Sequence, residues 1–145
     1  MQITYAPAYP YRHVLDSLAN TEDREQMEGP YPAAHPSWFY RDTLDCHHHA
    51  ILVDGKPVGN IDFGLSDSFE AGRWETGFFI ASAWRRKGII EKSWQKLSSE
   101  YGPNFSASCW EDNLPCTSLL TKLGFELHVK SSHEGRGISI FKLNR

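Results

Sequence analysis

The sequence predicts an α+β protein, in which paired strands and amphipathic helices follow one another along the chain. Residues 50–65 (AILVDGKPVGNIDFGL) place Asp54-Gly55 between two apolar runs, which is a strong signal for a β-hairpin. Residues 74–101 combine a short apolar run, a basic turn and a helical stripe. Residues 105–125 combine an alternating strand pattern with a helix that ends at Gly124.

Length and composition indicate one globular domain, predicted over residues 1–145. The 145 residues are 40% hydrophobic and 23% charged, with a mean hydropathy of −0.49. No apolar run approaches the ~20 residues of a membrane helix, and MQITYAPAYPYR lacks the layout of a signal peptide. Three cysteines without the spacing of a disulfide framework indicate reduced thiols. These features predict a cytoplasmic protein with no membrane partner.

The N-terminal region predicts one strand and two helices. Ile3 and Tyr5 alternate with polar neighbours, as in a strand, and a helix can begin at Pro10. Residues 29–32 (GPYP) end that helix, and Ser37 is a good N-cap for a second one.

Aromatic side chains are frequent around the start of the second predicted helix. They either pack between helices or form one wall of a substrate pocket, and the two interpretations remain open. The candidates for substrate binding are Tyr31 and Trp38.

Three consecutive histidines, His47, His48 and His49, precede the hairpin. In an extended chain only the first and third share a side. Zinc sites draw three or four ligands from spaced positions, and no CxxC or HxxxH motif accompanies these histidines. The sequence predicts a polar strand start here and no metal.

The central stretch predicts a strand, a turn and a helix that together form a phosphate cradle. Residues 76–81 (TGFFIA) suit a buried strand, and Gly88 follows three cations. A helix that starts in such a loop offers unpaired backbone N–H groups and a positive dipole end. The apolar stripe of the helix is formed by Ile90, Trp94, Leu97 and Tyr101.

The C-terminal third predicts a strand, a helix and a hairpin. Residues 105–109 alternate as in a strand, and Pro115 lies near the first turn of the helix. The last hairpin joins residues 127–130 to residues 138–143 across a loop at Ser131–Gly137.

Two of these stretches resemble motifs of the GNAT superfamily of N-acetyltransferases. FFIASAWRRKGII is similar to its acetyl-CoA signature, [Q/R]-x-x-G-x-[G/A], with Arg85 and Gly88 in register and Ile90 in place of a small residue. The segment 113–125 is similar to its ending N-x-x-A-x-x-L-Y-x-K-x-G-F, in which Asn113, Lys122, Gly124 and Phe125 match. The order of hairpin, turn and helices resembles that family over nearly the whole chain.

The resemblance implies a mixed, mostly antiparallel sheet of about six or seven strands flanked by about four helices. The resemblance also implies that acetyl-CoA enters the gap where the fourth and fifth strands separate. The backbone of the fourth strand and the turn before the central helix would hold it there. The reaction implied is acetyl transfer to a primary amine by direct attack in a ternary complex, with a backbone N–H of Phe79 or Ile80 on the thioester oxygen. The implied acetyl-CoA-binding residues are Phe79, Ile80, Ala81, Arg85, Arg86, Lys87, Gly88, Ile89, Ile90 and Asn113.

The acid and the base of that reaction remain open in the sequence. The family's tyrosine proton donor is replaced here by Leu120, and Ser118 is one possible substitute. The candidates for the base are Glu75, one position from the glutamate of some members, and Glu111. Their structural alternatives are an ion pair with Arg73 and a solvated turn residue, respectively.

The charge distribution allows two interpretations: the acidic half attracts a cationic acceptor, or its acidic run at residues 21–28 (TEDREQME) is simply the solvated face of a helix. Residues 1–72 contain four Lys/Arg and eleven Asp/Glu, a net charge of −7, and the remainder has a net charge of +4. The acceptor is predicted to be a small cationic molecule or a protein amine, whose identity the sequence does not name. A homodimer is common in such folds, although no residue here indicates one.

Two other functions compete with this one. A degenerate member that binds acyl-CoA or a protein without turnover is favoured by Ile90 and Leu120. Nucleic-acid binding through the cations near Gly88 is disfavoured by the net charge of −3, so no nucleic-acid partner is expected.

Overall fold

A computed structural model describes residues 1–21, 41–66 and 72–144. Its strands form one sheet in the order β1-β2-β3-β4-β5-β7-β6. The strands are β1 (Ile3–Pro7), β2 (Cys46–Val53), β3 (Lys56–Ser66), β4 (Arg73–Ile80), β5 (Asn104–Trp110), β6 (Glu126–His133) and β7 (Arg136–Asn144). The α-helices among the described residues are α1 (Arg12–Thr21), α2 (Ile89–Leu97) and α3 (Leu114–Lys122). The predicted α+β class is confirmed.

The sheet consists of two antiparallel parts joined by a short parallel contact. β1 to β4 pair antiparallel in chain order, and β5, β7 and β6 form the second part. β4 and β5 pair only at Trp74–Phe105 and Glu75–Ser106. The mixed, mostly antiparallel sheet and its division between the fourth and fifth strands are therefore as predicted.

Helices α2 and α3 cover one face of this sheet, called the helix face below. Trp94 from α2 meets Phe105 of β5 and Phe125 edge-on, with ring centroids 5.2 and 5.5 Å apart. Leu120 from α3 is buried in the same cluster. Burying side chains of this size is the main stabilising term of such a core.

The hairpin predicted at Asp54-Gly55 is present, and it contains an irregularity that the sequence does not show. Positive φ angles of 49° and 81° at these two residues fit a tight two-residue turn. A β-bulge between Ile51 and Leu52 then shifts the register, so that His48 lies opposite Asp62. A simple two-residue turn would place His48 opposite Ile61.

The central helix is shorter than its apolar stripe predicts. α2 ends at Leu97, where Ser99 Oγ donates to the carbonyl of Lys96 at 2.8 Å, and a 3-10 turn follows. Tyr101 is therefore extended rather than helical. Its ring stacks on Phe63 of β3 at 4.3 Å, which explains why the position is apolar.

The last hairpin is longer than predicted. The segment Ser131–Gly137, expected to be a loop, belongs to the strands except for its turn at Glu134-Gly135. Positive φ angles of 51° and 81° allow those two residues to reverse the chain alone. This segment is therefore paired backbone, which leaves it little freedom to form a binding loop.

Some predictions fall on residues outside the described part of the chain. These are the break at residues 29–32, the helix from Ser37, and the candidate substrate-binding residues Tyr31 and Trp38. The described ranges hold three of the roughly four expected helices.

Two glycines of β3 test this packing. An alanine Cβ at Gly59 would collide with the backbone carbonyl of Phe79, whereas at Gly64 its nearest neighbour is Cys46 Sγ at 3.7 Å. Because a strand backbone cannot move aside cheaply, we expect Gly59→Ala to lower the free energy of unfolding by about 1–3 kcal/mol. Gly64→Ala is expected to be neutral or to stabilise by up to about 1 kcal/mol. Urea denaturation of both variants checks this, and equal effects would contradict the pairing of β3 with β4.

Candidate active site

The site begins where β4 and β5 separate. Beyond the pair Glu75–Ser106 the described parts of the two strands form no further ladder, while β5 stays paired with β7 along its whole length. An opening between parallel strands therefore runs from Thr76 towards the end of β4. Polar backbone groups that line such an opening need partners, which a bound molecule can supply.

The parity of the β4 backbone determines which groups face this opening. The N–H of Ala81 donates to the carbonyl of Val58 on β3, at 2.8 Å. Successive residues of a strand point their backbone groups to opposite neighbours. The N–H of Phe79 therefore points towards β3, and those of Phe78 and Ile80 point into the opening.

The opening ends at the predicted phosphate cradle. Positive φ angles at Arg86 (62°) and Gly88 (73°) wind the chain into a tight turn immediately before α2. The first amides of α2, at Ile89 and Ile90, have no partner within the helix and lie at its positive end. A Cβ at Gly88 would meet no atom within 4 Å, so the space above this turn is open among the described residues.

The three cations of the turn have different surroundings. Arg85 is half-buried, and its Nε donates to the carbonyl of Ile80 at 3.1 Å, which fixes the turn to the end of β4. Arg86 and Lys87 are exposed, so their charges are available to an anion beside the helix. Ala81, between strand and turn, is buried.

The bulk of Ile90 does not occupy the cradle. Its side chain is 6% exposed and packs in the core with Ile89, Trp94 and Leu97. Only its backbone amide remains at the turn. Ile90 therefore replaces the small residue of the family motif without filling the turn, because its side chain packs in the core.

Helix α3 presents few groups to the opening. Asn113 is its N-cap and accepts a hydrogen bond from the N–H of Cys116 at 3.3 Å. Leu120 is 1% exposed and belongs to the core, whereas Ser118 is exposed. The side chain at position 120 therefore stabilises the fold and offers no proton.

The two predicted bases lie at different ends of the site. Glu75 is exposed on β4 at the last residue pair before the opening. Glu111 is exposed just beyond β5, where it forms an ion pair of 3.1 Å with Lys130. Arg73, considered as a partner for Glu75, donates to the carbonyl of Phe105 and to Asn144 Oδ1, both at 2.8 Å.

Sequence reasoning missed a second carboxylate beside Glu75, that of Asp62 on β3. The two lie on the side of the sheet opposite α2 and α3, called the polar face, because Asp62 pairs with Gly77 and Glu75 pairs with Gly64. Burial raises the pKa of Asp62 to about 7, the charge of Glu75 raises it further, and the N–H of Gly77 opposes both. The alternation of polar and apolar residues at positions 60–64 shows that Asp62 faces away from the apolar side. Its neighbours on β2 depend on the bulge between Ile51 and Leu52, which the sequence does not show.

Asp62 also has neighbours on β2. His48, which is 3% exposed, has Nδ1 3.8 Å from Asp62 Oδ2 and Nε2 3.2 Å from Cys46 Sγ. Burial and the charges of Asp62 and Asp42 raise the pKa of Cys46 to about 11. This thiol is therefore protonated at neutral pH and is a weak nucleophile.

Three further observations concern metal, membrane and disulfides. Among residues 1–21, 41–66 and 72–144, no three His, Cys, Asp or Glu side chains are placed to hold a metal ion. Within the same ranges no helix is both long and apolar enough to cross a lipid bilayer. Cys46, Cys109 and Cys116 form no disulfide in this structure.

Comparison with known proteins places this geometry in a family. Residues 14–125 match the acetyltransferase (GNAT) family. The uncharacterized N-acetyltransferase YjdG of Bacillus subtilis (strain 168) is 38% identical over 90 residues, which are 59% of this chain and 53% of that protein. The match thus spans about half the length of this curated relative.

Two solved structures share the fold at low identity. An acetyltransferase of Salmonella typhimurium that modifies the N-terminal serine of ribosomal protein L7/L12 has a TM-score of 0.80 at 11% identity, over 100% of this chain and 96% of its own. The microcin C7 self-immunity acetyltransferase MccE, in complex with acetyl-CoA and AMP, has a TM-score of 0.78 at 19% identity, over 99% and 93%. With more than three quarters of its residues matched, the chain belongs to the acetyltransferase (GNAT) family.

Proposed function

We propose that this protein is an acetyl-CoA-dependent N-acetyltransferase that transfers the acetyl group to a primary amine by direct attack. The observation that supports it most is the opening between β4 and β5, which leads from the polar face to the N-terminus of α2. A cosubstrate with a reactive thioester at one end and phosphates at the other fits such a path. MccE, which shares the fold, is in complex with acetyl-CoA.

The phosphate end is assigned to the turn before α2. The amides of Gly88, Ile89 and Ile90 point out of the helix start, and Arg86 and Lys87 add positive charge. Because the side chain of Ile90 lies in the core, the hypothesis of a degenerate, non-catalytic domain loses one of its two arguments.

The thioester end is assigned to the inner part of the opening. The backbone N–H groups of Phe78 and Ile80 face it and supply donors for the thioester oxygen, where negative charge develops during attack. Helices α2 and α3 cover the helix face, and α1 packs through Leu15 beside Ala50 of β2 on the polar face. In this proposal the amine therefore reaches the thioester over β4 and β5 on the polar face. Leu120 offers no proton to the departing thiolate, but a thiol with a pKa near the reference value of about 8.5 leaves without one.

The acceptor is a cationic amine in this proposal. The acidic half of the chain, with a net charge of −7 over residues 1–72, attracts such a molecule. The Salmonella typhimurium acetyltransferase modifies a protein N-terminus, and another protein of this fold is called a putative phosphinothricin N-acetyltransferase. Both a protein amine and a small amine are therefore candidates. A cytoplasmic location and a homodimer stay predictions.

The cosubstrate site is tested with a pair of glycine variants. Gly88 and Gly55 both have positive φ and open space around them, but only Gly88 lies at the cradle. A Glu at position 88 adds backbone strain and places a carboxylate where the phosphates bind, whereas Gly55→Glu adds the same strain and charge at a remote hairpin. Saturating acetyl-CoA, at ~100 times its dissociation constant, stabilises a protein by about 2.7 kcal/mol, which is several degrees in Tm. We expect this rise in the wild type and in Gly55→Glu, and its loss in Gly88→Glu.

Turnover is measured as CoA release from acetyl-CoA in the presence of primary amines. A Tm rise followed by CoA release with any amine supports the proposal. A Tm rise without CoA release from any amine of the panel would instead support a domain that binds acyl-CoA without turnover. No Tm rise at millimolar acetyl-CoA would contradict acetyl-CoA as the cosubstrate.

A further inference from the structure

Two carboxylates meet on the polar face at the inner end of the opening. In the β3–β4 register Asp62 lies opposite Gly77, and Glu75 lies opposite Gly64, so the two acids are diagonal neighbours on one face. Glu75 is exposed, whereas the side chain of Asp62 is 24% exposed. When two neighbouring carboxylates differ in burial, their pKa values differ, and enzymes commonly use such a pair for two different roles in a reaction.

Gly77 gives Asp62 its position. A Cβ at residue 77 would lie 2.7 Å from Asp62 Oδ1, so the carboxylate occupies the space that a side chain on β4 would fill. Gly77 is two residues beyond the last β4–β5 pair. The carboxylate therefore lies over β4 at the inner end of the opening, beside Phe78, whose N–H points into the opening.

A buried hydroxyl lies next to the same point. Ser106 of β5 pairs with Glu75, is 3% exposed, and its Oγ has no hydrogen-bond partner among the described residues. A buried hydroxyl without a partner costs free energy, which a bound substrate group can recover. The inner end of the opening thus contains three polar side chains, Asp62, Glu75 and Ser106.

We propose that Asp62 is the general base that deprotonates the acceptor amine, and that Glu75 binds the same amine as an ammonium ion. This inference rests on the proposed function, because it names the proton acceptor of that reaction. The sequence candidate Glu75 keeps a role, but as the exposed group that attracts the cation. Ser106 is placed to bond the amine or the acetyl group beside them.

The electrostatics of Asp62 suit this role. A base works best when its pKa lies near the working pH, and burial together with the charge of Glu75 raises the pKa of Asp62 to about 7. An arriving ammonium ion lowers it again, which keeps the carboxylate ionised until the proton moves.

The other ionisable groups near Asp62 lie on β2 and on the neighbouring helix α1. His48 and Cys46 face it from β2, on the side away from β4, and the pKa of the Cys46 thiol is raised to about 11. The neighbouring helix α1 carries three further groups, of which the guanidinium of Arg12 binds the carbonyl and the ring of Tyr9. The remaining two are His13 and Asp16.

The proton balance of the step is complete. The ammonium transfers one proton to the Asp62 carboxylate, and the free amine attacks the thioester carbon. The C–N bond forms, the C–S bond breaks, and the second proton leaves the nitrogen for the thiolate of CoA. Asp62 then returns its proton to water, so the products are the amide, CoA and one released proton.

Turnover tests the base directly. We compare the wild type, Asp62→Asn and the control Asp54→Asn, which makes the same change at the remote β2–β3 turn. CoA release is followed from pH 5.5 to pH 9 with a linear aliphatic diamine and with a peptide that has a free N-terminal serine. We expect kcat/KM of the wild type and of Asp54→Asn to fall below about pH 7, where Asp62 of the free enzyme becomes protonated. Asp62→Asn should lose at least about 100-fold in kcat together with this pH dependence, while acetyl-CoA still raises its Tm.

A second measurement is independent of activity. The native pKa of Asp62, about 7, lies above the ordinary value of 3.8, so its stabilising proton is lost as the pH rises towards and through 7. Asp62→Asn cannot lose a proton. Its Tm relative to the wild type should therefore rise by about 6 °C between pH 5.5 and pH 8.5, with no such change in Asp54→Asn.

The outcomes separate the inference from the proposed function. No CoA release by the wild type with any amine overturns the proposed function, and the role of Asp62 with it. Wild-type turnover that persists in Asp62→Asn overturns this inference alone, as does a Tm difference that is independent of pH. Loss of turnover with the acetyl-CoA response and the pH-dependent Tm difference both retained supports it.

Discussion

A parallel ladder of two residue pairs joins the two parts of the sheet, and the candidate site depends on where that ladder ends. Arg73 fixes its position: the buried guanidinium of this β4 residue donates to the carbonyl of Phe105 on β5 and to Asn144 of β7. Because the strands are fastened immediately before they separate, the opening has a defined inner end. Its outer end is equally fixed, since Arg85 bonds the carbonyl of Ile80.

The polar face has a cost in stability that the core on the helix face offsets. A largely buried carboxylate whose pKa is raised from 3.8 to about 7, as that of Asp62 is, makes the fold progressively less stable as the pH rises between these two values. Ser106 adds a buried hydroxyl without a partner among the described residues. Groups of this kind are typical of active sites, where stability is exchanged for reactivity. The aromatic cluster around Trp94 and Phe105 contributes apolar burial on the other side of the sheet.

Two departures from the family motifs have the same physical explanation. Ile90 and Leu120 both point into the core, where they are 6% and 1% exposed. At position 90 the cradle needs only a backbone amide, so a large side chain is compatible with it once that side chain is buried. At position 120 the family motif has a tyrosine, whereas the buried Leu120 offers no proton, so in the proposed reaction the departed thiolate receives its proton from the amine nitrogen.

The sequence by itself determined the elements whose signals are local, and the tertiary structure decided their neighbours. The turn Asp54-Gly55, the glycine at the start of α2 and Gly124 just after α3 depend on the φ preference of a few adjacent residues, so the sequence shows them. The prediction that the helical stripe includes Tyr101 was wrong. Tyr101 is extended, and its ring reaches the same core by stacking on Phe63.

The site residues follow the same division. Arg85 and Gly88 lie in one contiguous turn and could be predicted, whereas the neighbours of Asp62 could not. The bulge at Ile51 and Leu52 shifts the β2–β3 register by one residue, and one residue moves a side chain to the other face of a sheet. That shift brings His48 beside Asp62, and the pairing of β3 with β4 places Asp62 over Gly77. Both contacts depend on strand pairing over long sequence separation, which no local pattern specifies.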